Sequence, residues 1–268
     1  MTASVFNLDR IGGRPALDAL LHLTVRAGKH ALRIYAAGLE GGIQRKDDQS
    51  PVTVADQEVE AMLRQHCEEA LPQVGFMGEE QGELMGGNAE LRMVVDPIDG
   101  TRAFMRGIPT WSVLVGIEDN EREPVVGIAY MPARDELYVA VKGQGAYGNG
   151  KPLRVDNSRG LDEALICHGA LQQFHYTDTM RLLQRLAEQS YTQRGFADFD
   201  GYRHLLLGRA EAMVDPGVKA WDICPAALLV REAGGVFTSI EGGASVYEGS
   251  ALAATPRVHG PLLKLLNS

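Results

Sequence analysis

The sequence is poor in cysteine, in aromatic residues and in long apolar runs. Its 268 residues include three cysteines, Cys67, Cys167 and Cys224, which stand far apart and form no CxxC pair. Three separated cysteines exclude a disulfide scaffold and a structural zinc site built from thiolates alone. No segment approaches the ~20 consecutive apolar residues that a membrane span requires. The first residues show no apolar signal region, so we expect a cytoplasmic protein that does not associate with membranes.

Positive charge is scarce as well. The 26 lysines and arginines are outnumbered by 35 aspartates and glutamates, which gives a formal net charge of −9 at pH 7. A nucleic-acid-binding protein needs a basic face that displaces phosphate counterions, so we expect no nucleic-acid partner. An acidic protein can still bind an anionic substrate if metal ions lie between the two.

The spacing of apolar residues predicts mixed secondary structure. Apolar residues three and four positions apart predict helices, and alternating or continuous short apolar runs predict strands. The predicted helices cover residues 15–38, 56–70, 177–189, 200–208 and 221–233. The predicted strands cover residues 93–95, 111–117, 125–130, 137–141 and 236–238, of which the middle three should form an antiparallel meander. This order of elements indicates a layered fold with at least two sheets.

Some positions in the predicted helices carry specific expectations. Gly28 lies on the apolar stripe of the first helix, where an interior glycine costs ~1 kcal/mol relative to alanine. Asp56 is placed to cap the second helix. In the helix over 177–189, the residues expected to face inward are Met180, Leu183, Leu186 and Ala187.

The segment Asp96-Pro97-Ile98-Asp99-Gly100-Thr101 follows a predicted buried strand. Two carboxylates three residues apart at the end of a strand bring hard oxygen ligands close together. Gly100 allows close backbone approach, and a helix starting at Thr101 would present N–H groups to an anion. Carboxylates beside an anion site suit metal-assisted phosphoryl transfer. An isolated Asp-x-x-Asp motif, however, more often lies in a solvent-exposed turn.

Other acidic residues also lie at element boundaries, namely Glu79 in Gly78-Glu79-Glu80, Asp56 at a helix start, and Asp222 after Trp221. Each alone is more simply a cap or a surface charge. Together with Asp96 and Asp99 they form a set that several parts of the chain could bring together.

Competing chemistries find less support. The seven histidines form no HExxH motif, and GxSxG is absent, so a zinc hydrolase and a serine hydrolase lack their usual motifs. Residues 143–148, GQGAYG, satisfy GxGxxG, but Asn149-Gly150-Lys151-Pro152 follows where a dinucleotide site needs a helix. We therefore interpret this segment as a glycine-rich hairpin turn.

The motif Asp96-Pro-Ile-Asp-Gly-Thr101, together with Trp221-Asp222 and Glu232-Ala-Gly-Gly235, resembles the paired signatures of the inositol monophosphatase family. Gly78-Glu-Glu80 and the segment from Lys46 to Asp56 match further family elements in the same order. Members are Mg²⁺-dependent, lithium-sensitive phosphatases related to fructose-1,6-bisphosphatase. The resemblance covers nearly the whole chain.

The resemblance implies an α+β fold, a layered α/β/α/β/α sandwich. It implies a single domain over residues 1–268, with an N-terminal α+β part over about 1–150 that carries the metal motifs and a C-terminal α/β part over about 151–268. It also implies a homodimer and two or three Mg²⁺ ions per site.

The resemblance assigns roles to individual residues. The implied metal ligands are Glu79, Asp96, Asp99, Asp222 and the backbone carbonyl of Ile98. Glu79 and Thr101 would orient the attacking water, Asp56 would help to hold a weaker ion through water, and the N–H groups of Gly100 and Thr101 would bind phosphate. The implied reaction is the hydrolysis of a small phosphate ester by in-line attack of an activated water.

The substrate is less sharply indicated. Inositol-specific members carry Gly-Ser/Thr-Ala-Ala where this chain has Gly195-Phe196-Ala197-Asp198, and a glutamate where it has Asp215. Both departures, like Arg102 and the residues up to Trp111, resemble the histidinol-phosphatase branch, which serves histidine biosynthesis. Asp198 and Asp215 would pair with the cationic nitrogens of L-histidinol phosphate. Asp198 could instead bond a neighbouring arginine or cap the next helix.

Two other functions stay open at this point. The chain could hydrolyse inositol 1-phosphate or act promiscuously on sugar and nucleotide phosphates. It could also be a non-catalytic regulator on the same fold that binds RNA or a ribosome factor, although its acidic charge argues against this.

Overall fold

The computed structural model describes residues 5–37, 43–45, 51–84 and 90–268. Gly38, the predicted end of the first helix, and the Lys46–Ser50 part of the family resemblance lie outside the described residues. The helices of the described residues are α1 (Gly13–Ala36), α2 (Val54–Ala70), α3 (Thr101–Phe104), α4 (Leu171–Tyr176), α5 (Met180–Gln189), α6 (Asp198–Leu206), α7 (Ala220–Glu232) and α8 (Pro256–Leu266). The strands are β1 (Ile43–Arg45), β2 (Pro51–Thr53), β3 (Val74–Gly78), β4 (Gly82–Leu84), β5 (Leu91–Asp99), β6 (Ser112–Asp119), β7 (Pro124–Met131), β8 (Glu136–Val141), β9 (Ala146–Gly148), β10 (Lys151–Pro152), β11 (Leu165–His168), β12 (Thr192–Arg194), β13 (Ala212–Pro216), β14 (Val236–Thr238) and β15 (Ser250–Ala254).

The larger sheet has eight strands in the order β10-β9-β8-β7-β6-β5-β3-β4. From β5 to β10 each strand pairs antiparallel with the next, which confirms the predicted meander. β5 does not end at Asp96 as its apolar run suggested, but continues to Asp99 through a register shift between these two residues. Such an irregularity re-aims side chains, and here it falls within the acidic motif.

The smaller sheet has five strands in the order β12-β11-β13-β15-β14. β11 runs parallel to β12 and β13, and β15 runs antiparallel to both of its neighbours.

Helices and sheets alternate in layers. Helices α1 and α2 pack on one face of the larger sheet, where Ala27 and Val59 share a core with Val115. Helices α6 and α7 lie between the two sheets and join their facing sides in a second core. Helices α5 and α8 cover the outer face of the smaller sheet through residues such as Leu186 and Leu262. This is the α/β/α/β/α sandwich that the sequence resemblance implied.

Close packing explains the interior glycine of α1. A Cβ atom at Gly28 would lie 2.7 Å from the Tyr130 ring and 2.7 Å from Pro132. Gly28 therefore lets α1 approach β7 closely. This close packing offsets the lower helix propensity of glycine.

The helix predicted over residues 177–189 is corrected by the structure. It begins only at Met180, after a separate helix, α4, and Asp178 between the two has a left-handed backbone (φ 55°). The predicted inward face is also partly wrong, because Met180 and Ala187 are exposed. The buried residues are Leu182 and Leu186, four positions apart on the side that faces the smaller sheet.

The first residues of the glycine-rich segment 143–148 form a turn after β8, as predicted, and its last three residues are strand β9. The Glu232 carboxylate at the end of α7 accepts hydrogen bonds from Gly143 N at 2.8 Å and Gly145 N at 2.7 Å. This contact connects the second family signature to the turn.

All three cysteines are unpaired and buried. Within the described ranges, no helix combines the length and the apolar character that crossing a membrane requires.

Candidate active site

A cavity of about 320 Å³ opens where the end of β5 meets the first residues of α6 and α7. Every site residue predicted from the sequence lines it except Asp56, which lies behind Thr101. The residues around the cavity are Glu79, Asp96, Ile98, Asp99, Gly100, Thr101, Arg102, Ala170, Gln173, Ala197, Asp198, Tyr202, Asp215, Val218 and Asp222.

The acidic motif is held by hydrogen bonds around the irregular end of β5. The Ile98 N–H donates to Asp96 Oδ1 at 3.0 Å. Asp99 Oδ2 accepts hydrogen bonds from the Ser112 hydroxyl at 2.7 Å and from the Phe199 N–H at 2.8 Å. These contacts fix the orientation of both carboxylates at the cavity wall.

Gly100 turns the chain from β5 into α3 with a left-handed backbone (φ 86°). A Cβ atom at this position would lie 2.8 Å from Asp198 Oδ2, so only glycine lets Asp198 approach this closely. The Thr101 hydroxyl donates to the Ile98 carbonyl at 3.1 Å and lies 3.4 Å from Asp56 Oδ1.

The predicted capping role of Asp56 is corrected by the structure. Thr53 is the N-cap of α2, and its hydroxyl accepts a hydrogen bond from Ala55 N at 3.2 Å. Asp56 lies three residues later and completes a capping box, because its Oδ2 accepts the Thr53 N–H at 2.7 Å. Its Oδ1 faces Thr101, so Asp56 both stabilises the helix start and borders the site.

Glu79 lies on the turn between β3 and β4. Its N–H donates to the Val95 carbonyl at 3.2 Å, beside the acidic motif. The carboxylate of Glu60, one turn after Asp56 on α2, accepts hydrogen bonds from Glu80 N at 2.8 Å and Gln81 N at 2.7 Å. Sequence reasoning missed Glu60, although an acidic residue on the apolar face of a helix was a visible signal.

Asp222 reaches the cavity from the first turn of α7. The Lys219 N–H donates to Asp222 Oδ2 at 2.7 Å, in a capping arrangement like that of Asp56. Helix capping and placement at the cavity are therefore compatible roles for the same carboxylate.

Burial and mutual repulsion govern the charge of this acidic set. Burial raises the pKa of Asp96 well above its usual range, and the charges of Glu79 and Asp99 add to the effect. Burial likewise raises the pKa of Asp222 to about 7 and that of Asp56 to about 6. Neighbouring carboxylates that raise one another's pKa form a site that would be stabilised by positive charge.

Two further carboxylates face the cavity from the smaller sheet and α6. Burial raises the pKa of Asp198 to about 6, against the opposing effect of Arg102. Burial also raises the pKa of Asp215 well above its usual range. The Tyr202 hydroxyl donates to Asp215 Oδ2 at 3.4 Å. Asp198 is the first residue of α6, and the N-cap is Ala197, so a capping role for Asp198 is not what the structure shows.

The carboxylates line the same cavity, but their oxygen atoms are not arranged to coordinate a metal ion directly. In the part of the chain that the structure describes, no three His, Cys, Asp or Glu side chains form a group that could hold a metal ion as they stand. Oδ2 of Asp99 and Oδ2 of Asp222 accept hydrogen bonds from protein donors instead.

Known proteins are similar to this chain both in sequence and in architecture. A model of the inositol monophosphatase family matches residues 16–268. A histidinol-phosphatase of Streptomyces coelicolor is 30% identical over 92% of this chain and 96% of its own. An inositol-1-monophosphatase of Mesorhizobium japonicum is 32% identical over 92% of this chain and 94% of its own. The crystal structure of the extragenic suppressor protein SuhB from Bartonella henselae has a TM-score of 0.87 at 28% identity and covers 95% of this chain and 99% of that one.

Proposed function

Since the chain belongs to the inositol monophosphatase family, we propose that it is a Mg²⁺-dependent phosphomonoesterase that hydrolyses L-histidinol phosphate. The observation that carries the proposal is the convergence of Glu79, Asp96, Asp99 and Asp222 on one cavity, from three separate stretches of the chain. Its relatives bear the names of phosphatases with different substrates, so the choice of ester depends on the residues of the cavity itself.

The donor set suits Mg²⁺, which prefers carboxylate and carbonyl oxygens. Glu79, Asp96 and the Ile98 carbonyl would hold one ion, and Asp96, Asp99 and Asp222 a second. Asp56 would help to hold a third, weaker ion through water. Bound ions would neutralise the phosphate, acidify the attacking water and stabilise the leaving alkoxide. Because the carboxylates surround the cavity but are not yet close enough together to share one ion, Mg²⁺ binding would require small side-chain movements.

The protein's own groups would position the reactants. Glu79 and the Thr101 hydroxyl would orient the attacking water in line with the leaving oxygen. Asp56, whose Oδ1 lies 3.4 Å from the Thr101 hydroxyl, would hold that hydroxyl in place. The backbone N–H groups of Gly100 and Thr101 would donate to the phosphate oxygens, and such donors stabilise developing negative charge.

The preference for histidinol phosphate rests on Asp198 and Asp215. Both are carboxylates at the cavity whose pKa is raised by burial. Hydrogen bonds from Tyr202 and Gln173 only partly offset the effect of burial on the pKa of Asp215. An ammonium or imidazolium group of the substrate would satisfy these carboxylates, whereas the hydroxyls of inositol bring no charge to pair with them. Inositol 1-phosphate is the second candidate, supported by the relative with that activity in its name.

Release of inorganic phosphate tests the proposal. The purified chain, with Mg²⁺, should hydrolyse histidinol phosphate with a higher kcat/KM than inositol 1-phosphate or a nucleoside bisphosphate, and chelation should abolish turnover. Equal rates on the first two esters would refute the substrate assignment. No release from any ester would favour a non-catalytic regulator, an alternative that the structural likeness to SuhB leaves open.

A further inference from the structure

One face of α2 carries three polar side chains that contact Thr101 or the segment from Glu80 to Gly82. Asp56, Glu60 and Arg64 are spaced four residues apart, which places them on the same side of a helix. Asp56 reaches Thr101, and Glu60 reaches the backbone of Glu80 and Gln81. Arg64 Nη2 donates to the Gly82 carbonyl at 3.1 Å. A single helix face thus contacts both Thr101 and the turn that carries Glu79.

Glu60 lies between Asp56 and Arg64 on this face of α2, and its side chain is fully buried. Its two carboxylate oxygens accept separate hydrogen bonds, Oε2 from Glu80 N and Oε1 from Gln81 N. Burying a carboxylate is costly unless it is hydrogen-bonded, and these two N–H groups are what satisfies the buried Glu60 carboxylate. The Glu60 side chain therefore does more than fill space, because it fixes the backbone directly after Glu79.

The sequence of the turn is adapted to this contact. A Cβ atom at Gly78 would overlap the Glu60 carboxyl group, so glycine is the residue that leaves room for it. On the other side of the turn, the Glu79 N–H is fixed to the Val95 carbonyl. The backbone of Glu79 is held between the acidic motif on one side and Glu60 on the other.

We propose that Glu60 is a positioning residue that fixes the turn over residues 79–82 so that the Glu79 carboxylate is placed to bind Mg²⁺. This inference rests on the proposed metal site and extends it to a residue that contacts neither metal nor substrate. Groups that orient metal ligands typically change metal affinity about 10- to 100-fold when they are replaced. A Glu60 that served only packing would change stability and leave metal affinity alone.

The test measures Mg²⁺ binding by calorimetry on the full chain without substrate. Glu60→Gln keeps the shape but replaces one accepting oxygen with an NH₂ group, and should weaken binding about tenfold. Glu79→Gln is the reference that removes the proposed ligand itself. Glu232→Gln is the matched control, because Glu232 also accepts two backbone N–H groups, from Gly143 and Gly145, outside the cavity. It should bind Mg²⁺ like the unaltered chain.

The outcomes separate the positioning role from the metal site on which it rests. If Glu79→Gln weakens binding and Glu60→Gln does not, the positioning role is refuted while the metal site stands. If Glu79→Gln has no effect, the metal site fails and the inference fails with it. Equal weakening in Glu60→Gln and Glu232→Gln would also refute the role, since the effect would then be general. Should Glu60→Gln not fold, Glu60→Asp, whose carboxylate is one methylene shorter, should weaken binding about tenfold, and unchanged binding would overturn the proposal.

Discussion

The Asp99 carboxylate accepts a hydrogen bond from the Phe199 backbone N–H at 2.8 Å, across 100 positions of sequence. Asp99 belongs to the acidic motif at the end of β5, and Phe199 directly follows Asp198 on α6. This bond joins one proposed metal ligand to the residue directly after the proposed substrate carboxylate, Asp198. The proposed metal site and the proposed substrate carboxylate therefore lie on the same wall of the cavity.

Removing the other hydrogen-bond donor to Asp99 should make the Asp99 carboxylate less firmly oriented. The Ser112 hydroxyl is buried and donates to Asp99 Oδ2 at 2.7 Å. Ser112→Ala leaves the carboxylate oxygen with fewer donors, so the free energy of unfolding should fall by about 1–3 kcal/mol. The Mg²⁺ concentration for half-maximal phosphate release should rise about tenfold. Denaturant unfolding and a Mg²⁺ titration of activity measure the two effects.

Ser239→Ala is the control for this prediction. Ser239 is also buried, and its hydroxyl oxygen accepts the Gly243 N–H at 3.1 Å, away from the cavity. It should lower stability without changing the Mg²⁺ requirement. If both serine variants shift the Mg²⁺ requirement equally, orientation of Asp99 is not the cause.

Asp198→Asn should alter substrate preference. A charged hydrogen bond contributes about 1.5–3 kcal/mol, so kcat/KM for histidinol phosphate should fall roughly 10- to 100-fold. The value for inositol 1-phosphate should change less, because that ester brings no cation of its own to Asp198. Steady-state kinetics on both esters decide the point. A parallel loss on the two substrates would mean that Asp198 supports the site as a whole rather than recognising a cation.

Acid should weaken a partly buried contact between β8 and α6. Glu136 accepts hydrogen bonds from Arg203 Nη2 at 2.8 Å and from the Tyr138 hydroxyl at 2.6 Å. The bonds from Arg203, with that from Tyr138, lower the pKa of Glu136 below its ordinary 4.5. Because the folded pKa is the lower one, the stabilisation is fully present above pH 4.5. It is lost as pH falls through the folded pKa.

Glu136→Gln isolates this contribution. The variant should be about 1–3 kcal/mol less stable than the unaltered chain at pH 7, and the gap should narrow as pH falls below the ordinary pKa of glutamate. Urea unfolding at a series of pH values measures the gap. Glu121→Gln, at an exposed position, should stay within about 0.5 kcal/mol throughout. A gap that widens in acid would reverse the assigned direction of the pKa shift.

Much of the fold could be read from the sequence because its signals are local. The alternation from Trp111 to Ile117 predicts β6, and the apolar spacing from Trp221 to Ala233 predicts α7. The site carboxylates could be named because they lie in compact motifs at element ends. The family resemblance supplied the layered arrangement, which periodicity alone leaves open.

What the sequence could not reveal depends on contacts between distant residues. The extension of β5 through Asp99 needs pairing with Ser112 on β6. The role of Gly28 needs Tyr130 and Pro132, about a hundred residues later. The acidic Glu60 on the apolar face of α2 is visible in the sequence, but its partners on the turn after β3 are not. The exposure of Met180 follows from how α5 meets the smaller sheet, which a helical repeat cannot specify.

Crystals grown with Mn²⁺ and inorganic phosphate test the central claim most directly, since Mn²⁺ can replace Mg²⁺ at oxygen ligands and is located by anomalous scattering. We expect anomalous peaks coordinated by Glu79, Asp96, Asp99 and Asp222, with phosphate against the N–H groups of Gly100 and Thr101. Phosphate bound elsewhere, or a cavity without Mn²⁺ at saturating concentration, would contradict the account.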